Sequence, residues 1–333
     1  MLRSTFTKSQ LLRSLLQYPD EILTSRELAT RSKVSRQAIW KAVESLRSEG
    51  IPVESVPQRG YRLGKGWGID LSPTLVSANI SDGCPWGDEI ILLDSTGSTQ
   101  TNAKDLARKG CPEGTVFLSS IQKTGRGRRE RKWFSPPGGL YMSIVLRPDL
   151  SPSSLQMVSL AAALALKEAL LWTTGCSFDL KWPNDVLWKE RKVAGILSEA
   201  SMEPDRIHFA VVGMGINGNI GKEEVPPELQ DKFTSLRIIL GKKLDLSLLA
   251  ARIISSLHGE ISLLIEKGDE ELVERYSANC STLGRGVEII TDDGSRKGIA
   301  RRIGTTGELV VEFGGFSMSF SAADVIHAPI TYE

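Results

Sequence analysis

The first 65 residues alternate apolar and polar positions, first with the period of a helix and then with that of a strand. The stretch TSRELATRSK has Thr/Ser at an N-cap position with Glu27 close behind, which predicts a helix start. After a short break, RQAIWKAVESLRSEG places apolar residues on one helical face, and Gly50 predicts its end. Two extended runs around a turn follow in IPVESVPQRGYRL. Together they predict a winged helix-turn-helix domain over residues 1–65.

The polar face of the second predicted helix and the tip of the ribbon carry residues that DNA contact needs. Over residues 1–65, twelve Lys and Arg face six Asp and Glu, whereas the whole chain has a formal net charge of +1. This excess predicts contacts with DNA phosphates and bases, and a helical protein-interaction module with a basic face is the alternative. The DNA-binding candidates are Ser35, Arg36, Gln37, Lys41 and Arg59. Trp40 is expected to pack against the following linker.

Residues 74–278 alternate strand-like and helical stretches. Strands are predicted at EIILLDS, TVFLSSIQ, LYMSIVLRP, FDLKWPNDVLW, KVAGILSEAS and RIHFAVVGMGING. Helices are predicted at TNAKDLARKG and over residues 154–172, 247–267 and 269–278. The hairpin-like spacing of the middle strands predicts a mixed sheet in an α+β domain and argues against a doubly wound one. The preceding segment GKGWGIDLSP, residues 64–73, is the predicted linker.

From Leu283 onward the pattern changes to short strands at regular intervals. These are GVEIIT, RKGIARRI, ELVVEF and SMSFSAADVIH, separated by Asp-Gly, Thr-Gly and Gly-Gly turns. Short, evenly spaced strands with such turns predict a small β-barrel over residues 283–330. The predicted fold class is therefore α+β, with three domains.

Composition narrows the class of protein. A hydrophobic content of 41% and a charged content of 24% are typical of a soluble globular protein. The four cysteines form no C-x-x-C pair and the three histidines are isolated, so neither a structural zinc site nor a disulfide framework is expected. The most apolar run, residues 155–172, includes Lys167 and Glu168 and predicts a buried helix. With no signal-peptide pattern, we expect a cytoplasmic protein without a membrane partner.

The stretch QKTGRGRRERKW, residues 122–133, contains four arginines and two lysines, interrupted by two glycines. Such a stretch is more commonly a solvated surface or an RNA-binding arm. Here it lies between two predicted strands, and its glycines allow backbone N–H groups to approach an anion closely. Arginine binds carboxylate and phosphate in bidentate fashion, and Trp133 offers a face on which a purine can stack. These features favour a loop that closes over a small anionic ligand.

Three further fragments place polar residues at turns or strand ends. KWPNDV puts Lys181, Asn184 and Asp185 around a Trp-Pro turn. RKVAGIL places Lys192 before an Ala-Gly pair, and VVGMGIN ends a predicted strand at Asn217. Taken separately, each is explained by turn chemistry or by a core strand.

Together, and in this order, the motifs resemble the biotin protein ligase family in its bifunctional ligase/repressor branch. The matching segments are STQ at 98–100, QKTGRGRRERKWFSP at 122–136, KWPND at 181–185, RKVAGILSE at 191–199 and GMGIN at 213–217. The resemblance implies a central domain of the class II synthetase/biotin ligase-like kind and a C-terminal SH3-like β-barrel. Glu130 departs from the family pattern, which often has Gly there.

The resemblance implies ATP-dependent biotinylation through biotinyl-5′-AMP of one lysine on the biotin carboxyl-carrier domain of a carboxylase. ATP, biotin and Mg²⁺ are the implied cofactors. Two anions must meet in this reaction, so fixed cations and alignment are expected to supply most of the catalysis. The repressor branch also implies a homodimer on biotin-operon operator DNA. The alternatives are a winged-helix transcription factor that senses a metabolite without catalysis, and a lipoate-type acyl ligase.

Site roles follow from the same resemblance. The expected catalytic residues are Lys192, Arg128 and Asp185. The expected biotin-binding residues are Ser98, Thr99, Gln100, Gln122, Arg126, Gly127, Arg128 and Lys192, and the expected ATP-binding residues are Trp133, Lys181, Asn184 and Asn217. A metal site built by protein groups alone is not expected, and Mg²⁺ is placed near Asp185. The structural alternatives are a plain N-cap for Ser98-Thr99, a strand-end polar group for Gln122 and a turn former for Asn217.

Overall fold

The computed structural model describes residues 2–65, 70–291 and 294–328. The chain forms two compact units, Met1–Asp82 with Asp245–Ala251, and Gly83–Leu244 with Arg252–Glu333. Four residues of the predicted linker, 66–69, lie outside the described part of the chain. The predicted domain bounds of 1–65, 74–278 and 283–330 stay predictions.

The first unit contains the predicted winged helix-turn-helix. Its elements are α1 Leu2–Gln17, α2 Ser25–Arg31, α3 Arg36–Ser48, β1 Val53–Val56, β2 Gly60–Leu63 and α4 Pro73–Asn79. The predicted N-cap is Thr24, whose hydroxyl accepts from the N–H of Glu27 while the Glu27 carboxylate accepts from the N–H of Thr24. This reciprocal capping fixes the start of α2. The β-ribbon pairs β1 with β2 in antiparallel register.

One apolar core holds these helices together. Leu11, Leu15, Leu28, Ile39 and Leu46 are all fully buried in it. The apolar residues that the sequence places on one face of α3 are buried in this core. Trp40 lies on the opposite face of α3 and is 56% exposed. Four residues of the linker against which it was expected to pack lie outside the described part of the chain.

The second unit is built on a seven-stranded mixed sheet, which confirms the predicted sheet type. Its strands are β3 Ile90–Leu93, β4 Val116–Ser119, β5 Leu140–Leu146, β6 Asp179–Lys181, β7 Asp185–Trp188, β8 Arg191–Met202 and β9 Ile207–Ile216. The order is β3-β4-β5-β9-β8-β7-β6. Only the β3–β4 pair among these is parallel, because α5 Thr99–Arg108 connects them as a crossover.

The remaining helices are α6 Leu155–Thr174, α7 Leu236–Leu240, α8 Leu246–Lys267 and α9 Asp269–Ala278. Eleven residues of α6 are buried, and Gly175 in the left-handed conformation ends the helix. By length and composition alone, α6 and α8 are apolar enough to cross a membrane. For α6 the apolar residues instead pack inside the unit, as predicted for a core helix.

The C-terminal strands form a five-stranded antiparallel sheet, in agreement with the predicted small β-domain. They are β10 Gly286–Thr291, β11 Gly294–Ile303, β12 Leu309–Phe313, β13 Phe316–Phe320 and β14 Asp324–His327, in the order β13-β12-β11-β10-β14. The stretch SMSFSAADVIH, treated as one strand in the sequence, divides into β13 and β14. These two strands pair with different neighbours, β12 and β10, and so lie at opposite edges of the sheet.

Candidate active site

A cavity of about 490 Å³ lies over the centre of the seven-stranded sheet. Its walls are the start of α5, the segment Gln122–Trp133 (the arginine loop), the Lys181–Asp185 turn, and residues of β8 and β9. One further wall is formed by the C-terminal sheet. Five regions far apart in sequence therefore meet around one cavity. Each motif that carries the family resemblance contributes lining residues, but the Asn of GMGIN is not among them.

Glycines form the floor of this cavity because larger residues would collide with its side chains. A Cβ atom on Gly213 would lie 2.4 Å from the Gln100 Oε1, and one on Gly215 would lie 2.4 Å from the Trp133 Nε1. A Cβ on Gly195 of the neighbouring strand would lie 2.9 Å from the Trp133 ring. All three distances are below ordinary van der Waals contact. The glycines therefore let Gln100 and Trp133 lie against the sheet backbone.

At one end of the cavity, a buried polar network surrounds the start of α5. The Thr99 N–H donates to the Gln122 Oε1 at 2.8 Å, and the Thr99 and Ser143 hydroxyls are 2.9 Å apart. The Gln100 amide donates to the carbonyl of Val211 at 3.1 Å. Ser98 occupies the N-cap position, but within the described residues its hydroxyl makes no capping hydrogen bond. A plain N-cap role therefore does not account for Ser98, whose side chain lines the cavity.

The arginine loop is held in shape by its own backbone. The Gly127 N–H donates to the Arg131 carbonyl at 2.7 Å, and the Trp133 N–H donates to the Gly125 carbonyl at 2.9 Å. At the tip, Arg129 and Glu130 have φ values of 49° and 56°, a left-handed conformation that favours glycine. The glycine that the family pattern often has at the Glu130 position is thus the residue that this backbone suits best.

Two of the loop arginines that line the cavity, Arg126 and Arg128, were expected from the sequence. Burial lowers the pKa of Arg128, against the opposing effect of the nearby carboxylates of Asp324 and Asp185. The Arg126 guanidinium lies 3.9 Å from the Glu199 carboxylate, which Lys104 also contacts at 2.8 Å. Both residues line the cavity, so they offer guanidinium groups to an anionic ligand.

Lys192 contributes a third cation from the strand opposite the loop. Its Nζ lies 2.6 Å from the Asp185 Oδ1 and 4.9 Å from the centre of the Trp133 ring. Burial lowers the pKa of Lys181 nearby; Asp185 opposes this effect and the charge of Lys192 adds to it. The Trp133 Nε1 is buried and has no hydrogen-bond partner among the described residues. This wall thus presents ammonium groups and one unused N–H donor around an aromatic face.

Comparison with known proteins gives the family of this chain. The sequence profile of the "Biotin/lipoate A/B protein ligase family" matches residues 92–217, and that of an "HTH domain" matches residues 7–62. The chain is 38% identical to the bifunctional ligase/repressor BirA of Bacillus subtilis over 245 residues, which cover 73% of this chain and 74% of that protein. The chain belongs to the biotin protein ligase family.

Further relatives cover nearly the whole length of this biotin protein ligase family member. The bifunctional ligase/repressor BirA of Escherichia coli is 29% identical over 306 residues, 92% of each chain. Among solved structures, the biotin protein ligase of Aquifex aeolicus in complex with biotin and ATP superposes with a TM-score of 0.63 at 29% identity. That superposition covers 72% of this chain and 99% of the other.

Most candidate residues from the sequence lie around the cavity, but Asn217 does not. Asn184 lines the cavity, and its side-chain amide donates to the Ile196 carbonyl at 2.7 Å. Asn217 is 2% exposed, and its amide donates to the carbonyls of Lys192 at 3.0 Å and Thr234 at 2.9 Å. Its side chain therefore fixes the backbone of Lys192, and its assignment to ATP stays a prediction.

Several lining residues were missed by the sequence reasoning. They are Arg131, Lys132, Met142, Ser143, Lys232, Ile290, Ala323, Asp324, Val325 and Ile326. Lys232 lies next to Lys192, because the Lys192 N–H donates to the Lys232 carbonyl at 2.7 Å. Asp324 begins β14, about 190 residues after the loop that it contacts. No local pattern in the sequence signals such a long-range approach.

Behind the Lys181–Asp185 turn, the C-terminal sheet supplies a second buried polar network. The Trp182 backbone N–H donates to the Thr282 hydroxyl at 3.1 Å, and this hydroxyl is 3.0 Å from the His327 Nε2. The other ring nitrogen of His327 lies 3.1 Å from the Glu190 carboxylate. Burial lowers the pKa of His327; Glu190 opposes this effect and the charge of Lys181 adds to it. The neutral imidazole of His327 therefore connects β14 of the C-terminal sheet to the turn between β7 and β8, where Glu190 lies.

The DNA-binding candidates belong to the first unit of this family member. Arg36, Gln37, Lys41 and Arg59 are exposed, as DNA contact requires. The Ser35 hydroxyl accepts from the Ala38 N–H at 3.2 Å and caps α3. A groove of about 440 Å³ lies between the starts of α2 and α3 and the ribbon tip. Its lining includes Arg36 and Arg59, and also Arg26, which the sequence reasoning did not select.

Proposed function

We propose that this member of the biotin protein ligase family joins biotin to ATP and transfers the biotinyl group to a lysine of a carboxylase biotin carboxyl-carrier domain. One observation carries the proposal: Arg126, Arg128 and Lys192 converge on a single cavity beside a buried polar network. The B. subtilis and E. coli relatives are named as ligases and repressors, and the A. aeolicus structure is a complex with biotin and ATP.

In the first step the biotin carboxylate oxygen bonds to the α-phosphorus of ATP, and the bond to the pyrophosphate leaving group breaks. We assign the ureido ring to the polar end of the cavity, where the Ser98 hydroxyl is available and Thr99 and Gln122 are linked by hydrogen bonds. The two loop arginines then neutralise the carboxylate. Lys192 lies on the opposite wall and neutralises the α-phosphate, which lowers the repulsion between the two reacting anions.

The nucleotide is assigned to the wall that holds Trp133, Lys181 and Asn184. The indole supplies a stacking face, and its buried Nε1 supplies a donor that no described protein group uses. Mg²⁺ fits as a companion of the triphosphate. No group of three or more metal-ligating side chains occurs among the described residues, and Asp185 offers one carboxylate. One carboxylate with substrate phosphates is the ligand set that Mg²⁺ commonly takes.

In the second step the neutral amine of the carrier lysine attacks the acyl carbonyl, and AMP leaves with the electron pair of the carbon–oxygen bond. The incoming ammonium first gives one proton to solvent, and the amine nitrogen releases a second to solvent as the amide forms. Asp185 is the carboxylate that we assign to orient this amine, because it lines the cavity beside Lys192. The loop arginines keep the adenylate in place until the lysine arrives.

The winged helix supports a second role, repression of biotin-operon genes by binding operator DNA. The match to an HTH domain over residues 7–62 and the exposed basic residues of α3 and the ribbon favour this role. We further propose that the repressor acts as a homodimer in the cytoplasm, without a membrane partner. Analytical ultracentrifugation at micromolar protein, with and without biotin plus ATP, tests the dimer; a monomer in both states would contradict it.

Pyrophosphate release with biotin, and in parallel with lipoate, tests the proposed reaction. Biotin-dependent release followed by a streptavidin-positive carrier domain is the expected result, and Lys192→Met is expected to abolish both signals. Release with lipoate alone would favour the lipoate-type ligase instead. Biotin binding without any pyrophosphate release would favour a metabolite-sensing transcription factor, and would overturn the proposed activity.

A further inference from the structure

Two arginines at the tip of the arginine loop converge on one carboxylate of the C-terminal sheet. The Arg131 guanidinium donates to the Asp324 Oδ2, and the Arg129 Nη1 lies 3.5 Å from the same oxygen. Arg129 also approaches the carbonyl of Ile290 on the neighbouring strand at 3.5 Å. These contacts join segments about 190 residues apart in sequence.

The two contacts lie immediately after Arg128, which lines the cavity. Arg128 precedes Arg129 directly and lies three positions before Arg131, whose N–H donates to the Arg128 carbonyl at 3.1 Å. The loop tip also adopts the left-handed conformation at Arg129 and Glu130, which is unfavourable for side chains other than glycine. A conformation of this kind persists only where surrounding contacts stabilise it.

We propose that Asp324 is a positioning residue that holds the arginine loop closed, and thereby keeps Arg128 directed at the acyl-phosphate. The proposal rests on the proposed biotin ligase activity for its catalytic consequence. Its structural part, the closed loop, stands on the contacts alone. Asp324 itself lines the cavity with its carboxylate turned to the loop arginines.

Asp324 has a second effect through charge. Its carboxylate lies close enough to Arg128 to oppose the influence of burial on that guanidinium. The carboxylate therefore offsets part of the cost of burying the Arg128 charge. Asp324 thus supports Arg128 in two ways: it contacts Arg129 and Arg131, which follow Arg128 in the loop, and it contributes its own negative charge.

The competing interpretation is a surface ion pair without consequence. Arg131 is 65% exposed in its side chain, and exposed pairs commonly contribute little to stability. Two features distinguish this site: both arginines share one carboxylate that is only 24% exposed, and the loop tip between them is strained. The distinction is measurable because a surface pair would leave loop motion unchanged.

Asp324→Asn and Arg131→Gln remove the contact from its two sides, and Glu312→Gln is the matched control. Glu312 lies on the same C-terminal sheet and pairs with Arg301 at 2.7 Å, with no contact to the loop among the described residues. If one of the first two variants folds poorly, the other tests the same contact from the opposite partner. Thermal unfolding of all variants separates a loop effect from a loss of overall stability.

Hydrogen–deuterium exchange of the full chain without added ligands reports on the loop directly. We expect faster exchange of loop amides in Asp324→Asn and Arg131→Gln, and wild-type exchange in Glu312→Gln. With biotin and ATP, we expect the adenylate to escape about threefold to tenfold faster from the two loop variants, the range that two partly exposed ion pairs allow. Hydroxylamine trapping of the released adenylate measures this rate.

The double variant provides the decisive comparison. If Arg131 acts through Asp324, the double variant should lose no more retention than Asp324→Asn alone, which also removes the contact with Arg129. Additive losses, or loop exchange identical to wild type, would overturn the positioning role. A wild-type protein that releases no pyrophosphate with biotin would overturn the proposed function instead, and the exchange measurement would still decide whether Asp324 holds the loop.

Discussion

The glycine floor of the cavity allows its two ends to be perturbed separately. Gly213 and Gly215 lie two residues apart on β9 and face the same side of the sheet. A Cβ atom on Gly213 meets Gln100, at the proposed biotin end, and one on Gly215 meets Trp133, at the proposed ATP end. We expect Gly213→Ala to raise the KM for biotin and Gly215→Ala to raise the KM for ATP.

The size of each effect follows from the distances. Each new Cβ atom would lie 2.4 Å from its neighbour, about 1 Å short of ordinary van der Waals contact, so Gln100 or Trp133 must move by roughly that amount. A displacement of about 1 Å in a positioned group commonly costs on the order of a hundredfold in activity. Overpacking of this kind costs about 1–3 kcal/mol. We therefore expect a KM increase of about tenfold to a hundredfold for the affected substrate.

The assay is steady-state pyrophosphate release with each substrate varied at saturating levels of the other. Gly259→Ala is the matched control, because Gly259 lies in α8 and no described atom beyond its own helix turn and chain neighbours would come within 4 Å of an added Cβ. It should behave as wild type or gain slight stability. Equal changes in both KM values for both variants, or a change in neither, would contradict the assignment of the two ends.

Three further predictions test other parts of the molecule. Arg128→Ala should still form the adenylate but release it tens- to a hundredfold faster, as loss of one charge-assisted contact implies; hydroxylamine trapping measures this, and tight retention would contradict it. Because burial lowers the pKa of His327, the unfolded chain takes up its proton first below the ordinary value of 6.5, so stability should fall there with decreasing pH. His327→Gln should weaken that fall in thermal melts from pH 8 to 5, and an unchanged difference between the two proteins would refute the reasoning. Arg36→Ala and Arg59→Ala should each weaken binding to a DNA duplex selected from a random library and lower the salt slope by about one, which fluorescence anisotropy tests; unchanged slopes would remove both from the DNA contact.

The elements that local pattern specifies were predictable from the sequence. The capping pair of Thr24 and Glu27, the apolar face of α3 and the central strands each follow from spacing that burial alone imposes. The arginine loop could also be placed, because glycine, arginine and tryptophan lie next to each other in the chain. The pattern of neighbouring residues therefore predicts those parts of the cavity wall that are formed by one continuous motif.

The remainder depends on contacts between distant segments. Asp324 joins the cavity only because β14 pairs with β10 at one edge of its sheet, and no spacing in the sequence reports that pairing. Asn217 ends its predicted strand, but its amide is turned to backbone carbonyls behind Lys192. Trp40 is apolar in type yet exposed, since the core beneath α3 is already filled by smaller residues. Such outcomes follow from three-dimensional packing.

The ion pair between Lys192 and Asp185 has a consequence for how the protein recognises an anion. A partly buried ammonium with a carboxylate beside it has no uncompensated charge, so an incoming phosphate exchanges with an internal counter-ion. Under the proposed function, the affinity of this wall for a phosphate is a difference between two similar attractions, so we expect product to bind less tightly than it would to an unpaired ammonium. Small inorganic anions at high concentration would compete in the same exchange, so turnover should be sensitive to the ionic composition of the solution.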